Sequence, residues 1–218
     1  MSNSDHWLRP KRVRPLVIAH GDEGGRGLYP GNTRLYLREM VALGVDALEI
    51  DLNLTADGQL VLLHDGTLER TTDGSGQVGD RTLAELAPLN AAYHWSQDGE
   101  HFPYRDNPQP LITIDDAFAE FPHTPMIIEL KNDNPRAAQA LATAIKKASR
   151  EARVIVSSFH DGVIRAFRTL CPTVATGATQ REALWFFAAQ CVFAERLLRP
   201  TYQTMQLPGR YYGLPVYT

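Results

Sequence analysis

The chain has 218 residues, of which 44% are hydrophobic and 22% charged, and its formal net charge is -3 at pH 7. This length suits one large domain or two small ones and is enough to bury a sizeable core. Nucleic acid is not an expected partner, because nucleic-acid binding usually selects a basic face and this chain has no block of like charges.

The N-terminal sequence MSNSDHW is polar, and no apolar run follows it. We therefore expect no signal peptide and no membrane-spanning helix. The short basic run RPKRVR is expected to be solvated, with a phosphate or membrane-surface contact as the alternative. Cys171 and Cys191 are expected to be buried thiols, which favours a reducing compartment. With no signal peptide expected, the expected location is the cytoplasm. Peripheral association with a membrane is left open.

The first third of the chain predicts two buried strands separated by a helix. An apolar run at residues 16–20 is followed by a glycine-rich loop and predicts the first strand. Residues 32–44 begin with cap-forming residues and end on glycine, which predicts a helix. Residues 45–54 predict the second strand, and residues 59–65 follow after an Ala-Asp-Gly turn that favours a hairpin-like reversal.

Residues 66–110 differ from the rest of the chain. They are rich in Gly, Asp, Thr, Pro and aromatic residues, and they contain one short helix signal, TLAELAPL. We interpret them as a segment inserted into the main repeat.

After this segment the chain alternates regularly between helices and strands. Helices are predicted at 112–121, 135–151, 161–171 and 181–198, and strands at 125–131, 153–158, 174–178 and 202–207. Such alternation implies parallel strands joined by right-handed crossovers. A β/α barrel and a doubly wound sheet both fit this pattern. Only about six principal strands are present, whereas a complete eight-fold barrel usually takes about 250 residues.

Six polar residues lie at or near the C-terminal ends of the predicted strands: His20, Glu49, Asp51, His64, Glu129 and Lys131. Side chains two positions apart on a strand share a face, and barrels build their sites at this end. Three converging carboxylates would repel each other unless a cation neutralised them, and oxygen ligands suit Mg²⁺ or Ca²⁺. The alternative is that each acid pairs with a nearby Arg or Lys or caps a helix.

Two histidines beside such a cation suit general acid–base chemistry on a phosphate ester, since an unperturbed imidazole titrates near neutral pH. One would deprotonate the nucleophile, and the other would protonate the leaving alkoxide. His160 follows a later strand and is a weaker candidate for the rim of the site.

These residues stand in longer motifs: IAHG and YPGNT, LEIDLNLTADGQLVLLHDGTLERTTDGSG, ITIDDAFAEFP, PMIIELK and VIVSSF. Together they resemble the glycerophosphodiester phosphodiesterase family, nearest to its lysophospholipase D-like branch. The resemblance spans about residues 16–160 and continues more loosely beyond them.

The resemblance implies a phosphatidylinositol-phosphodiesterase-like (β/α)8 TIM barrel. It implies one domain over residues 1–218, truncated at its C-terminus to about six of the eight strand–helix units. Residues 66–110 would form a small subdomain inserted after the second strand. The implied roles are catalytic for His20 and His64, metal-binding for Glu49, Asp51 and Glu129, and phosphate-contacting for Lys131.

The sequence departs from the family pattern in the loop after the first histidine. Gly21 stands where the family commonly has Arg, Gly31 stands where it has Glu, and the loop between them is longer than usual. Arg26 lies in this loop and is a candidate substitute for the missing phosphate-binding cation, because a guanidinium can bind phosphate in a bidentate manner. The alternative is that Arg26 faces solvent.

The expected function is a metal-dependent phosphodiesterase that cleaves a glycerophosphodiester to glycerol 3-phosphate and an alcohol. A second hypothesis changes the substrate to a lysophospholipid, with the apolar segment 183–198 as a lip for an acyl chain or a membrane surface. The competing explanation of that segment is an outer barrel helix. A third hypothesis is an inactive relative that binds only phosphate or metal.

Overall fold

The computed structural model describes residue 7 and residues 14–21, 27–206, 210–211 and 214–215. Its centre is a six-stranded sheet made of β1 (Ile18–Ala19), β2 (Ala47–Leu54), β3 (Leu60–Leu62), β4 (Met126–Leu130), β5 (Val154–Ser157) and β6 (Ala175–Thr176). Parallel pairing runs along β1–β2–β4–β5–β6, and β3 pairs antiparallel with β2. A separate hairpin joins β7 (Arg210–Tyr211) to β8 (Leu214–Pro215).

The α-helices are α1 (Arg34–Ala42), α2 (Leu83–Leu86), α3 (Ile114–Glu120), α4 (Pro135–Lys147), α5 (Asp161–Leu170) and α6 (Gln180–Cys191). Two short 3-10 helices add Val78–Asp80 and Glu195–Leu197. Threonine caps begin several of the helices: the Thr113 hydroxyl accepts a hydrogen bond from the Asp116 amide, and the Asp116 carboxylate accepts one from the Thr113 amide. This capping box satisfies two amide groups that the first helical turn would otherwise leave unpaired.

Strand β2 has two chemically different faces. All eight of its residues are buried. Leu48, Ile50 and Leu52 belong to the main apolar core beneath the helices, whereas Glu49 and Asp51 alternate with them and face the other way. The same alternation continues on β4, so the sheet has an apolar face covered by helices and a face that carries carboxylates.

The main core lies between this apolar face and helices α1, α3, α4 and α5. Leu141 and Ile145 of α4 and Phe167 of α5 have no exposed surface and pack in the same cluster as the strand residues. Burial of this kind stabilises by roughly 25 cal/mol for each Å² of apolar surface removed from water. It therefore holds the sheet in place behind the carboxylates.

The order of the strands confirms the predicted parallel α/β architecture. Strands β1 and β6 are the two ends of the pairing path among the described residues. The sheet is therefore not closed into a complete barrel, as expected for a barrel-type chain with about six strand–helix units.

Two predictions for the C-terminal third are wrong. The strand predicted at 202–207 is reduced to one bridge between Gly177 and Thr204, because its neighbour β6 is only two residues long. The helix predicted at 181–198 ends at Cys191, and Phe193 then takes a φ of 57°, a left-handed conformation that cannot continue a helix.

The cysteines also differ from expectation in one respect. Cys171 is buried, as predicted, but Cys191 is exposed. Its helix α6 buries no residue fully, so the apolar composition of this segment does not reflect a core position. No described helix is long and apolar enough to cross a membrane.

Residues 66–110 contain only short elements and pack around a small apolar cluster of their own. Leu68, Val78 and Leu86 of this segment meet Val61 and Leu63 at the end of the β2–β3 hairpin. The segment therefore sits on the hairpin rather than in the main core. Its interpretation as an inserted subdomain of one domain stays a prediction.

Candidate active site

Three carboxylates converge on the polar face of the sheet. Asp51 of β2 stands opposite Glu129 of β4 in the strand register, and Glu49 lies one pleat before Asp51 on the same face. Each of the three offers an oxygen within 4.8 Å of the others. Glu49 and Asp51 are buried, with 3% and 1% of their surface exposed. The structure therefore brings together the three acids that the sequence placed at neighbouring strand ends.

Among the described residues, the ammonium group of Lys131 pairs with two of these acids. Lys131 Nζ is 2.9 Å from Asp51 Oδ1 and 3.0 Å from Glu129 Oε2. Burial alone would lower the pKa of Lys131, but the two carboxylates outweigh it and raise that pKa. Lys131 is therefore a fixed positive charge at the centre of the cluster.

One ammonium group does not compensate three carboxylates. The pKa of Glu49 is raised to about 7, first by burial and then by the charge of Asp51, although the Gly21 amide and His20 act in the opposite direction. A buried acid in this position needs either a proton or a second cation.

The donor set fits a divalent cation. It consists only of carboxylate oxygens, which hard cations such as Mg²⁺ and Ca²⁺ prefer. Glu129 Oε1 is buried and has no hydrogen-bond partner among the described residues. A buried oxygen without a partner costs free energy, and a cation held between Glu49, Asp51 and Glu129 would remove that cost.

Asn32 holds Asp51 in place, which the sequence did not reveal. Its Nδ2 donates to Asp51 Oδ2 at 2.8 Å, and its Oδ1 accepts from the Asp51 amide at 3.0 Å. Asn32 has a φ of 57°, a left-handed conformation that Asn tolerates better than most residues. Its place just before a helix suggested only a capping role.

Gly21 explains one departure from the family pattern. Its amide donates to Glu49 Oε2 at 2.7 Å. A Cβ at this position would lie 2.7 Å from the backbone oxygen of Glu49, so the observed backbone has no room for an arginine side chain here. Arg26, the candidate substitute, lies outside the described residues.

The two candidate catalytic histidines follow strands of the same sheet, His20 after β1 and His64 after β3. His20 directly follows β1, and its carbonyl oxygen accepts a hydrogen bond of 2.7 Å from the Tyr36 hydroxyl. His64 lies just after β3, with its Nδ1 2.8 Å from Asp65 Oδ1. The Arg70 guanidinium donates to both oxygens of Asp65. Sequence analysis did not single out Asp65 or Arg70, although the motif HDGTLERTT contains both.

His160 lies beside the same edge of the sheet. Its Nε2 is 3.2 Å from the backbone oxygen of Lys131, and its Nδ1 is 3.6 Å from Asp133 Oδ1. The position agrees with the rim placement considered from the sequence. Its ring contacts the backbone of Lys131 and not the three acids.

A small cavity of about 70 Å³ opens beside His64. The segment 66–110 supplies part of its wall through Arg70, His94 and Trp95, and Asn32 also lines it. The indole nitrogen of Trp95 is buried and has no hydrogen-bond partner among the described residues. Space next to His64 is therefore shaped jointly by the barrel and this segment.

Comparison with known proteins identifies the family. Residues 23–217 match the glycerophosphoryl diester phosphodiesterase family. The chain belongs to this family. Among solved structures, the glycerophosphoryl diester phosphodiesterase domain of an uncharacterised Mycobacterium tuberculosis protein has a TM-score of 0.73 and 25% identity, covering 83% of this chain and 65% of that one.

A second structural relative is an Oleispira antarctica phosphodiesterase in complex with the product sn-glycerol-3-phosphate. It has a TM-score of 0.66 and 26% identity, and the match covers 82% of this chain and 72% of that one. These two structures confirm the barrel-type fold class.

Two curated relatives come from bacteria. A glycerophosphodiester phosphodiesterase from Caldanaerobacter subterraneus subsp. tengcongensis is 35% identical over 170 residues, which is 76% of this chain and 66% of the relative. One from Bacillus altitudinis is 32% identical over 72% of this chain and 63% of the relative. The chain thus spans slightly less than two thirds of the length of these relatives.

Proposed function

We propose that this chain is a metal-dependent phosphodiesterase that hydrolyses glycerophosphodiesters to glycerol 3-phosphate and an alcohol. The observation that carries the proposal is the buried cluster of Glu49, Asp51 and Glu129 with an unpartnered oxygen, next to His64 at the end of the hairpin. Family membership supports the reaction class. The sn-glycerol-3-phosphate bound by the Oleispira relative supports the substrate class.

The acidic and basic residues of the candidate site have different roles. Glu49, Asp51 and Glu129 hold a divalent cation, Mg²⁺ or Ca²⁺, which supplies Lewis-acid polarisation of the phosphoryl oxygens when bound. Lys131 lies within 3.0 Å of two of these acids and adds a fixed positive charge for the anionic diester. The buried position of the cluster strengthens these electrostatic interactions relative to water.

His20 and His64 act as the general acid–base pair. One takes a proton from the attacking oxygen as it bonds to phosphorus. The other gives a proton to the leaving oxygen as its bond to phosphorus breaks, so that the alcohol leaves neutral. The attacking oxygen belongs either to water or to the neighbouring glycerol hydroxyl, and the second route passes through a cyclic phosphate that water then opens.

Phosphorus NMR of the protein with glycerophosphocholine tests the proposal. Turnover is expected with Mg²⁺ or Ca²⁺ and is expected to stop with a chelator. A transient cyclic phosphate signal would indicate attack by the glycerol hydroxyl.

His64→Ala and Glu129→Gln are the matched variants. His64→Ala is expected to abolish turnover while a cation still binds, whereas Glu129→Gln is expected to weaken cation binding itself. Retained turnover in His64→Ala would contradict the acid–base assignment. No turnover by folded wild-type protein with either cation would contradict the proposed function.

A lysophospholipid substrate is the second candidate, and one observation favours it. Helix α6 exposes Leu184 and Trp185, and Phe193 just after it is 90% exposed. Apolar side chains of this kind could meet an acyl chain or a membrane surface. The same NMR assay with lysophosphatidylcholines decides it, because this hypothesis requires kcat/KM to rise with acyl chain length.

A further inference from the structure

Residues 66–110 contribute an arginine to a series of hydrogen bonds that connects Arg70 through Asp65 to His64. Arg70 Nε lies 2.5 Å from Asp65 Oδ2, and Arg70 Nη2 lies 3.0 Å from Asp65 Oδ1. Asp65 Oδ1 is in turn 2.8 Å from His64 Nδ1. One guanidinium therefore engages both oxygens of the carboxylate, an arrangement that fixes geometry as well as adding energy.

These hydrogen bonds also determine which ring nitrogen of His64 carries the hydrogen atom in the neutral imidazole. The hydrogen bond from Arg70 is the main cause that lowers the pKa of Asp65, with His64 adding to it against the effect of burial. Asp65 is therefore an ionised carboxylate, which accepts hydrogen bonds and donates none. His64 Nδ1 must then be the donor, which leaves Nε2 as the nitrogen that exchanges a proton with substrate.

The hydrogen-bonded residues Arg70, Asp65 and His64 lie at the candidate site and not at a distant surface. Arg70 and His64 both line the 70 Å³ cavity next to Asn32, and Asn32 donates to the buried Asp51. Any tilt of the His64 ring would therefore change the wall of that cavity.

A second histidine–aspartate pair lies in the same segment and has no arginine partner among the described ion pairs. His101 Nδ1 is 2.6 Å from Asp98 Oδ2, but the His101 side chain is 83% exposed. Asp98 is held by the backbone amides of Glu100 and His101. No arginine of the described residues pairs with Asp98, so this pair serves as an internal reference within the same segment.

We propose that Arg70 is a positioning residue for His64. By clamping Asp65, it holds the His64 imidazole in one orientation and one tautomer. The inference rests on the proposed function for its kinetic consequence, but the orientation itself can be measured without turnover.

The kinetic test compares Arg70→Ala with wild type on glycerophosphocholine. We expect kcat to fall by about 10²-fold, the effect typical of a catalytic group that is misplaced by about an ångström, with KM changed by less than about twofold. Arg70→Lys keeps the charge but loses the bidentate fork, so its kcat should lie between the two. Arg81→Ala, in the same segment but paired only with Glu85 at 4.0 Å among described ion pairs, is the control and should leave kcat unchanged.

The structural test uses nitrogen-15 NMR of protein labelled at its seven histidines, with the His64 signals assigned by their loss in His64→Ala. Wild-type His64 is expected to show a protonated Nδ1 and an unprotonated Nε2 in its neutral form. In Arg70→Ala its ring-nitrogen shifts should move towards a mixture of tautomers, while those of His101 stay fixed. If Arg70→Ala does not fold, Asp65→Asn breaks the same clamp from the other partner and is expected to give the same two changes.

The outcomes separate the two proposals. If wild type turns over its substrate but the His64 ring shifts of Arg70→Ala and Asp65→Asn match wild type, the positioning role is wrong, whatever happens to kcat, and the proposed function stands. If wild type turns over no glycerophosphodiester, the proposed function fails, and the ring shifts alone decide the positioning role.

Discussion

At the scale of single residues, the candidate site contains backbone positions that leave no space for an additional side-chain atom. The amide of Gly21 donates to Glu49, and the space where a Cβ would stand is 2.7 Å from a backbone oxygen and 3.2 Å from Glu49 Oε2. A backbone oxygen cannot move aside as a flexible side chain would. Gly21 therefore couples the loop after β1 to the position of a candidate metal ligand.

We expect Gly21→Ala to lower the free energy of unfolding by about 1–3 kcal/mol, the usual cost of overpacking, and to weaken cation binding. Gly162→Ala is the matched control, since a Cβ on Gly162 meets nothing within 4 Å. That substitution, in the first turn of α5, should change the free energy of unfolding by less than about 0.5 kcal/mol. Urea unfolding and calorimetric titration with Mg²⁺ or Ca²⁺ measure both effects, and equal behaviour of the two variants would contradict the steric argument.

The raised pKa of Glu49 gives the cation-free protein an unusual pH dependence. Its pKa is about 7 in the folded protein against 4.5 as the ordinary value, so between these pH values the folded state keeps a proton that the unfolded state has released. Stability in chelator should therefore fall as pH rises from about 4.5 to 7, by on the order of 3 kcal/mol. Glu49→Gln carries no titrating group and should flatten this slope in urea titrations across pH, whereas an unchanged slope would assign it to other groups.

Sequence reasoning located the acids but not the residues that hold them. The positions of Glu49, Asp51 and Glu129 could be predicted because side chains two residues apart on a strand point to the same face. Asn32 and Arg70 lie outside the strands and helices and act through side-chain hydrogen bonds to Asp51 and Asp65, and such positions leave no periodic trace in a sequence. That limit explains why they emerged only from the structure.

At the scale of elements, helix α6 is more apolar than helix α5 but packs less well against the rest of the structure. Phe167 of α5 is fully buried, whereas Leu184 of α6 is 61% exposed. The apolar residues of α5 lie on one face, and those of α6 are spread around the helix. Sequence composition therefore predicted both helices but could not show which of them supports the core.

Alanine substitutions in the two helices should change the free energy of unfolding by different amounts. Phe167→Ala should lower the free energy of unfolding by about 3–5 kcal/mol because it leaves a cavity in the core. Leu184→Ala should change it by less than about 0.5 kcal/mol, as expected for a surface position. Chemical denaturation of both variants measures the difference, and a large loss for Leu184→Ala would mean that α6 is covered in solution.

At the scale of the whole molecule, the parallel order of strands followed from the alternation of predicted strands and helices. The failures were local: a strand at 202–207 shortened to one bridge and a helix that ended at Cys191. The strand at 202–207 has little to pair with because β6 is only two residues long, and the helix ends where Phe193 takes a left-handed conformation. Sequence pattern alone cannot supply that tertiary context.

A cation held between β2 and β4 should stabilise the entire sheet, because the unfolded chain has no such site. At about 100 times its dissociation constant, a ligand adds about 2.7 kcal/mol, which corresponds to a rise in Tm of roughly 5–11 °C for a domain of this size. Differential scanning calorimetry with Mg²⁺ or Ca²⁺ measures this rise. Asp51→Asn should remove most of it, and a rise of the same size in that variant would place the stabilising ion elsewhere.

The unequal burial of the two cysteines makes the protein open to selective labelling. Burial raises the pKa of the Cys171 thiol, whereas Cys191 is exposed at the end of α6. Because the thiolate is the reactive species, a maleimide fluorophore should attach to Cys191 alone without any engineered substitution. The sequence thus carries a spectroscopic reporter close to Phe193, and its fluorescence would report whether a lipid contacts the exposed apolar side chains of this region.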